Sequence, residues 1–223
     1  MEAMKTVVLP DGKQVPALGM GTWMMGENPA CRTREIAALQ HGIDLGMRLI
    51  DTAEMYGEGA SEELVGEAIR GRRDQVFLVS KAYPHHAGRK SAPMACERSL
   101  ERLGVECIDL YLLHWRGGIP LAETVEAFEK LKAQGKIRRW GVSNLDLADM
   151  RELYAIPEGK AAAVDQVLYN LTRRGIEWDL LPWLQSQKTA LMAYSPIEQG
   201  RLLGHSAFCR LAEQHGWRPA QLA

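Results

Sequence analysis

Short apolar runs alternate with helix-period segments along this chain, and that alternation constrains the fold more than any other feature. The runs expected to be strands are Gly19–Trp23, Arg48–Thr52, Val76–Ser80, Ile108–Leu113, Ile137–Val142, Ala163–Leu168 and Ala190–Tyr194. Between them, Ile36, Leu39 and Ile43 fall on one helical face before Gly46. Leu64, Val65, Ala68 and Ile69 do the same after Ser61, which reads as a helix cap. Cys96, Leu100 and Leu103 follow a start at Ser91 and Pro93 and stop at Gly104. Val125, Phe128 and Leu131 stop at Gly135, and Leu147, Met150 and Leu153 mark a further helix. Strands that alternate with helices in this way make a parallel sheet with helices outside it. Ahead of them, Val7–Leu9 and Gln14–Leu18 flank Asp11-Gly12, a strong hairpin signal.

Two α/β architectures satisfy such alternation. A doubly wound dinucleotide fold needs a Gly-x-Gly-x-x-Gly turn after its first strand, where a phosphate meets a helix N-terminus. Gly19-Met20-Gly21 has Met24 in the third glycine's place, and Gly57-Glu58-Gly59 has Glu62 there. The expected fold is therefore a (β/α)8 TIM barrel with an N-terminal β-hairpin, as one domain over residues 1–223. The segment from Pro219 to Ala223 reads as the first turn of a helix. The chain is thus expected to end before strand 8 of the barrel.

The charge balance narrows the function classes. Lys plus Arg is 27 against 28 for Asp plus Glu, so no basic excess points to nucleic acid or an anionic membrane. No apolar stretch approaches the ~20 residues of a membrane span, and the N-terminus lacks the pattern of a secretion signal. Cys31, Cys96, Cys107 and Cys209 show neither C-x-x-C nor zinc-site spacing, and they read as free thiols in a cytoplasmic protein.

In a barrel, chemistry sits at the C-terminal ends of the strands. Asp51 ends the second strand, Lys81 the third and His114 the fourth, and Tyr56 lies just beyond Asp51 in Asp51-Thr52-Ala53-Glu54-Met55-Tyr56-Gly57. Each alone has a plainer reading, as a turn residue, a rim charge or a core histidine. Together they suit acid catalysis on a carbonyl. A free tyrosine titrates near pH ~10, and the Lys81 ammonium is expected to lower that value by favouring the phenolate. Asp51 would hold Lys81, and His114 would donate a hydrogen bond to the substrate oxygen. No side chain supplies a hydride, so a cofactor is required.

On these residues the chain resembles the aldo-keto reductases, whose tetrad of Asp, Tyr, Lys and His falls on Asp51, Tyr56, Lys81 and His114. The likeness runs from Val7 to Ala223, nearest to the bacterial branch of methylglyoxal and 2,5-diketo-gluconate-type reductases. It implies NADPH rather than NADH as cofactor. The basic residues that set that choice in the family lie on the eighth strand and its helix, beyond this sequence. Ser143 and Asn144 in Gly-Val-Ser-Asn, with Gln166, would bind the nicotinamide carboxamide. Tyr194 would stack on the ring. Ser195, Pro196 and the loop to Leu203 would lie over the pyrophosphate. Gly21, Thr22 and Trp23 match the first-strand residues beside the nicotinamide ribose and the substrate. Trp23, Tyr83, His85 and Trp115 would wall the substrate pocket, favouring small aldehydes, ketones and dicarbonyls. Ser143 and Asn144 could alternatively cap the following helix.

The resemblance implies a small carbonyl substrate, no nucleic-acid or membrane partner, and a monomer or weak homo-oligomer. Two rival functions remain open at this point. A non-catalytic nicotinamide-binding regulatory or structural relative would have no need of Tyr56 and Lys81 together. A metal-dependent barrel hydrolase needs histidine and carboxylate ligands at several strand ends, and only His114 stands at one, so no metal is expected.

Overall fold

A computed structural model describes residues 4–222. The hairpin is β1 (Thr6–Val8) and β2 (Gln14–Pro16), paired antiparallel. Then come β3 (Gly19–Gly21), α1 (Arg32–Asp44), β4 (Leu49–Asp51), α2 (Ala60–Ala68), β5 (Phe77–Ala82) and α3 (Ser91–Leu103). They are followed by β6 (Leu110–Leu113), α4 (Leu121–Ala133), β7 (Trp140–Ser143), α5 (Leu147–Ala155), β8 (Val164–Leu168), α6 (Leu180–Gln187) and β9 (Ala190–Tyr194). Helices α7 (Ser206–Gln214) and α8 (Pro219–Leu222) close the described chain.

Strands β3 to β9 pair in chain order, all parallel, into a seven-stranded, nearly closed barrel. This is the expected (β/α) barrel with its N-terminal hairpin. Two cores follow from the period-2 pleat, which sends alternate side chains to opposite faces. Ile50, Leu78, Ala82, Tyr111, Leu113, Trp140, Val142 and Val167 face outward and pack with the helices. Leu49, Phe77, Val79, Leu110, Leu112 and Val164 face inward, and Leu9 and Val15 of the hairpin pack among them. The hairpin thus closes the barrel floor, held also by Asp11, whose carboxylate lies 2.6 Å from Arg139.

Two local expectations are corrected. Strand β5 extends through Ala82, so Lys81 lies inside the strand rather than just past it. Its extra residues pair with Leu112 and Leu113 of β6, and His114 N–H donates to the Ala82 carbonyl at 3.0 Å. Ser61 does not cap α2, whose first turn follows Gly59 with no side-chain cap. Its hydroxyl is buried instead among Thr22 and Thr52. No helix among the described residues is long and apolar enough to cross a membrane.

Candidate active site

The inward file of each strand carries the site. Two steps beyond Leu49 is Asp51, two beyond Val79 is Lys81, and two beyond Leu112 is His114. Two beyond Val164 is Gln166, and two beyond Met192 is Tyr194. Apolar residues fill the lower layers of the barrel and polar ones its top layer, so the pleat that builds the core also aims the polar groups at one mouth.

Lys81 is completely buried. An ammonium has three protons and no acceptor, and here three acceptors surround it. Nζ donates to Asp51 Oδ2 at 2.6 Å, to the Thr52 carbonyl at 3.0 Å and to the Tyr56 hydroxyl at 3.1 Å. Burial pulls the Lys81 pKa down, but the charge of Asp51 and the Tyr56 hydroxyl outweigh it and hold the amine above its ordinary value. The second oxygen of Asp51 accepts from Gln166 Nε2 at 2.8 Å. The carboxylate is thereby fixed from both sides.

Tyr56 departs from expectation in one respect. Its hydroxyl pKa is raised, not lowered. Burial is the largest influence and pushes it up, Lys81 pulls it down, and Asp51 pushes it up again. Attraction to the ammonium is present as expected, but desolvation of the phenolate wins. The hydroxyl is held as a neutral acid. Beyond it, Gly57, Glu58 and Gly59 all take left-handed backbone (φ 56°, 53° and 96°), which the two glycines adopt without strain and Glu58 does not.

The His114 ring meets Tyr56 edge-on, with centroids 5.7 Å apart. Burial and the Lys81 charge drive its pKa down to about 3, so the imidazole is neutral. Its Nδ1 is buried without a partner, which leaves Nε2 for the mouth.

The predicted amide-binding groups form one network. Ser143 Oγ donates to the Gln166 carbonyl at 2.8 Å. Asn144 Nδ2 donates to the His114 carbonyl and to Ser143 Oγ, both at 3.1 Å, and Asn144 Oδ1 accepts from the Tyr194 hydroxyl at 2.8 Å. Neither Ser143 nor Asn144 caps α5; Asp146 does, accepting from Asp149 N–H. Asn144 and Ser195 both sit at positive φ (59° and 51°), strain that gathers where function is placed. A cleft of about 460 Å³ opens between β3 and β9 and runs down to the hairpin; apolar residues such as Leu9, Leu49, Val164 and Met192 line most of it, and Asp51, Gln166, Tyr194 and Ser195 also stand on its wall.

Three predicted residues stand differently. Thr22 is fully buried, and its hydroxyl is committed to the Asp51 carbonyl at 3.0 Å and to Ser61 at 2.7 Å, so that side chain is not offered to the mouth. Leu203 lies in the 198–204 helical turns, where its carbonyl accepts from the Cys209 thiol. Trp23 is half exposed, and no aromatic contact joins it to the others among the described residues. Tyr83, His85 and Trp115 do assemble: the Tyr83 ring lies 4.8 Å from His85 and 6.0 Å from Trp115, which is 4.9 Å from His114. The sequence reading gave no role to Glu54, which is buried beside this site. An acid inside the Asp51–Tyr56 loop was the available signal for Glu54. No group of three or more His, Cys, Asp or Glu side chains among the described residues could hold a metal.

A family model described as the aldo/keto reductase family matches residues 17–223. Methylglyoxal reductase YeaE of Escherichia coli (strain K12) is 56% identical over 213 residues, which are 93% of this chain and 75% of that protein. Glyoxal reductase of Bacillus subtilis (strain 168) is 36% identical over 222 residues, 97% of this chain and 76% of that protein. Among solved structures, an aldo/keto reductase from Klebsiella pneumoniae in complex with NADP and acetate superposes with a TM-score of 0.95 at 56% identity. That match covers 99% of this chain and 80% of that one.

Proposed function

The chain belongs to the aldo/keto reductase family, and from that premise we propose that it reduces small aldehydes and dicarbonyls such as methylglyoxal with NADPH, Tyr56 acting as the proton donor. The observation that carries this reading is the closed Asp51–Lys81–Tyr56 relay, with neutral His114 beside it. The 56% identical relative named a methylglyoxal reductase supports the substrate class, and the equally similar structure with NADP supports the cofactor.

The residues present fit a nicotinamide. Gln166 offers an amide group on the cleft wall, Asn144 is bonded to the Tyr194 hydroxyl beside it, and Gln166 Oε1 accepts no hydrogen bond among the described residues. Ser143, Asn144 and Gln166 would hold the carboxamide, Tyr194 the ring, and Ser195, Pro196 and the loop to Leu203 the pyrophosphate. Gly21 and Trp23 would border the ribose and the substrate. NADPH, when bound, supplies the hydride. Tyr56 gives its proton to the substrate oxygen as negative charge develops there. The Lys81 ammonium at 3.1 Å then stabilises the phenolate that remains. Asp51 keeps Lys81 charged and in place, so it acts without touching the substrate. His114, neutral at working pH, donates through Nε2 and orients the carbonyl. Tyr83, His85 and Trp115 would wall the substrate side of the mouth, a rim suited to small or flat carbonyl compounds.

The test is a substrate panel followed by loss of NADPH absorbance: methylglyoxal, an aromatic aldehyde and a phosphorylated sugar, each with NADPH and with NADH. Turnover of the first two with NADPH preferred is expected. Preference for the phosphorylated sugar contradicts the pocket assignment, and preference for NADH contradicts the cofactor assignment.

A further inference from the structure

Glu54 stands between the two loops that frame the mouth, and the proposed chemistry gives it no task. It follows Asp51 by three residues and precedes Tyr56 by two, and its side chain is 5% exposed. A carboxylate withdrawn from water is costly unless charge-assisted hydrogen bonds replace its hydration. Glu54 has them. Its Oε1 accepts from Tyr83 N–H at 2.6 Å and lies 2.9 Å from His86 Nδ1. The Arg98 guanidinium of α3 stands 3.9 Å from Oε2. Its own N–H donates to the Lys81 carbonyl at 3.3 Å.

Apart from Arg98, its side-chain partners belong to the segment that carries the aromatic rim. Tyr83 opens the helical turn Pro84–His86, which carries His85 and His86. The Tyr83 ring touches His85, His86 and Trp115. One carboxylate therefore ties the backbone of the aromatic rim to the loop that presents Tyr56, while making no contact with the Tyr56 hydroxyl itself. Filling that space would need only an apolar side chain. Holding a backbone N–H and an imidazole on one oxygen, with a guanidinium near the other, calls for the charge of a carboxylate.

We infer that Glu54 is a positioning residue, with His86 as its second partner, and that together they fix the Tyr83–His85–Trp115 rim relative to Tyr56 and so set how tightly a carbonyl substrate is held. The inference rests on the reductase reading above. It places the effect on substrate binding rather than on proton transfer.

The experiment compares Glu54→Gln, His86→Phe and His86→Asn with the wild type. Gln keeps the size and one acceptor oxygen but loses the charge. Asn keeps a donor near the Nδ1 position, and Phe does not. Glu54→Gln and His86→Phe are expected to raise KM for an aromatic aldehyde about tenfold, while kcat falls less than about threefold. Their Kd for NADPH, read by fluorescence, should stay within about twofold of wild type. His86→Asn should return KM to near the wild-type value. Hydrogen exchange read by mass spectrometry gives a signal independent of turnover. The peptide covering residues 82–88 should exchange about tenfold faster in Glu54→Gln and His86→Phe, with β6 and α4 unchanged. An unchanged KM, an Asn variant as impaired as the Phe variant, or faster exchange throughout the chain overturns the inference. A wild type that reduces no aldehyde overturns the reductase reading instead, and the exchange result alone then decides whether the clamp exists.

Discussion

Acidification sets His114 against its surroundings. Burial and the Lys81 ammonium lower its pKa from 6.5 to about 3, so the folded chain keeps the imidazole neutral where the unfolded chain would protonate it. Between those two values the unfolded state binds the extra proton. Stability is therefore fully present above pH 6.5 and falls as the pH drops from 6.5 toward 3. At pH 5 the gap below 6.5 is about 1.5 units, and at about 1.4 kcal/mol per unit the loss is about 2 kcal/mol. For a chain of this length that corresponds to a melting shift of roughly 4–8 °C. The assay is thermal and urea unfolding of wild type and His114→Gln at pH 8 and pH 5. Gln does not titrate, so the difference between the two proteins cancels the groups not coupled to residue 114. Wild type should lose about 2 kcal/mol more than the variant on acidification. Equal losses in both proteins would refute the claim that burial holds His114 neutral.

Three further outcomes follow from named contacts. Asp165 is buried with the Leu145 amide facing it but no regular hydrogen bond closed to either oxygen, and burial pushes its pKa well above the ordinary value, with that amide opposing only in part. A raised carboxyl costs stability as pH rises, so Asp165→Asn should raise the melting temperature at pH 7 and raise it less at pH 4; no gain at pH 7 contradicts this. A Cβ on Gly66 of α2 would meet the Leu103 carbonyl at 2.7 Å and the Arg102 carbonyl at 2.9 Å. Gly66→Ala should therefore lose about 1–2 kcal/mol in urea unfolding despite Ala's better helix propensity. Lys81→Met strips the partner from Asp51 and should cost about 3–5 kcal/mol in the same assay, along with most turnover.

What the sequence disclosed and what it hid divide along physical lines. The period-2 pleat is a local property, so the strands, their parallel alternation and the strand-end placement of Asp51 and His114 could be read directly, whereas β5 runs past Lys81 to Ala82. Distant contacts could not. Ser61 satisfies the local rule for a helix cap, yet the cluster with Thr22 and Thr52 takes its hydroxyl. The attraction between Lys81 and Tyr56 was legible as two residue types near each other. The burial that reverses the sign of the Tyr56 shift depends on packing from several strands. Glu54 drew no reading of its own, because its partners Tyr83 and His86 are about thirty residues away. Thr22 was set beside the ribose by the family resemblance, and its hydroxyl bonds to the Asp51 carbonyl and Ser61, partners distant in sequence.

The central claim is that Tyr56 is the working acid, and Tyr56→Phe tests it most directly. Phe keeps the ring that His114 meets edge-on and removes only the hydroxyl beside Lys81. With methylglyoxal and NADPH, kcat should fall by about 10²–10⁴-fold, as expected for loss of a general acid, while the Kd for NADPH stays near wild type. A variant that turns over at nearly the wild-type rate would contradict the account.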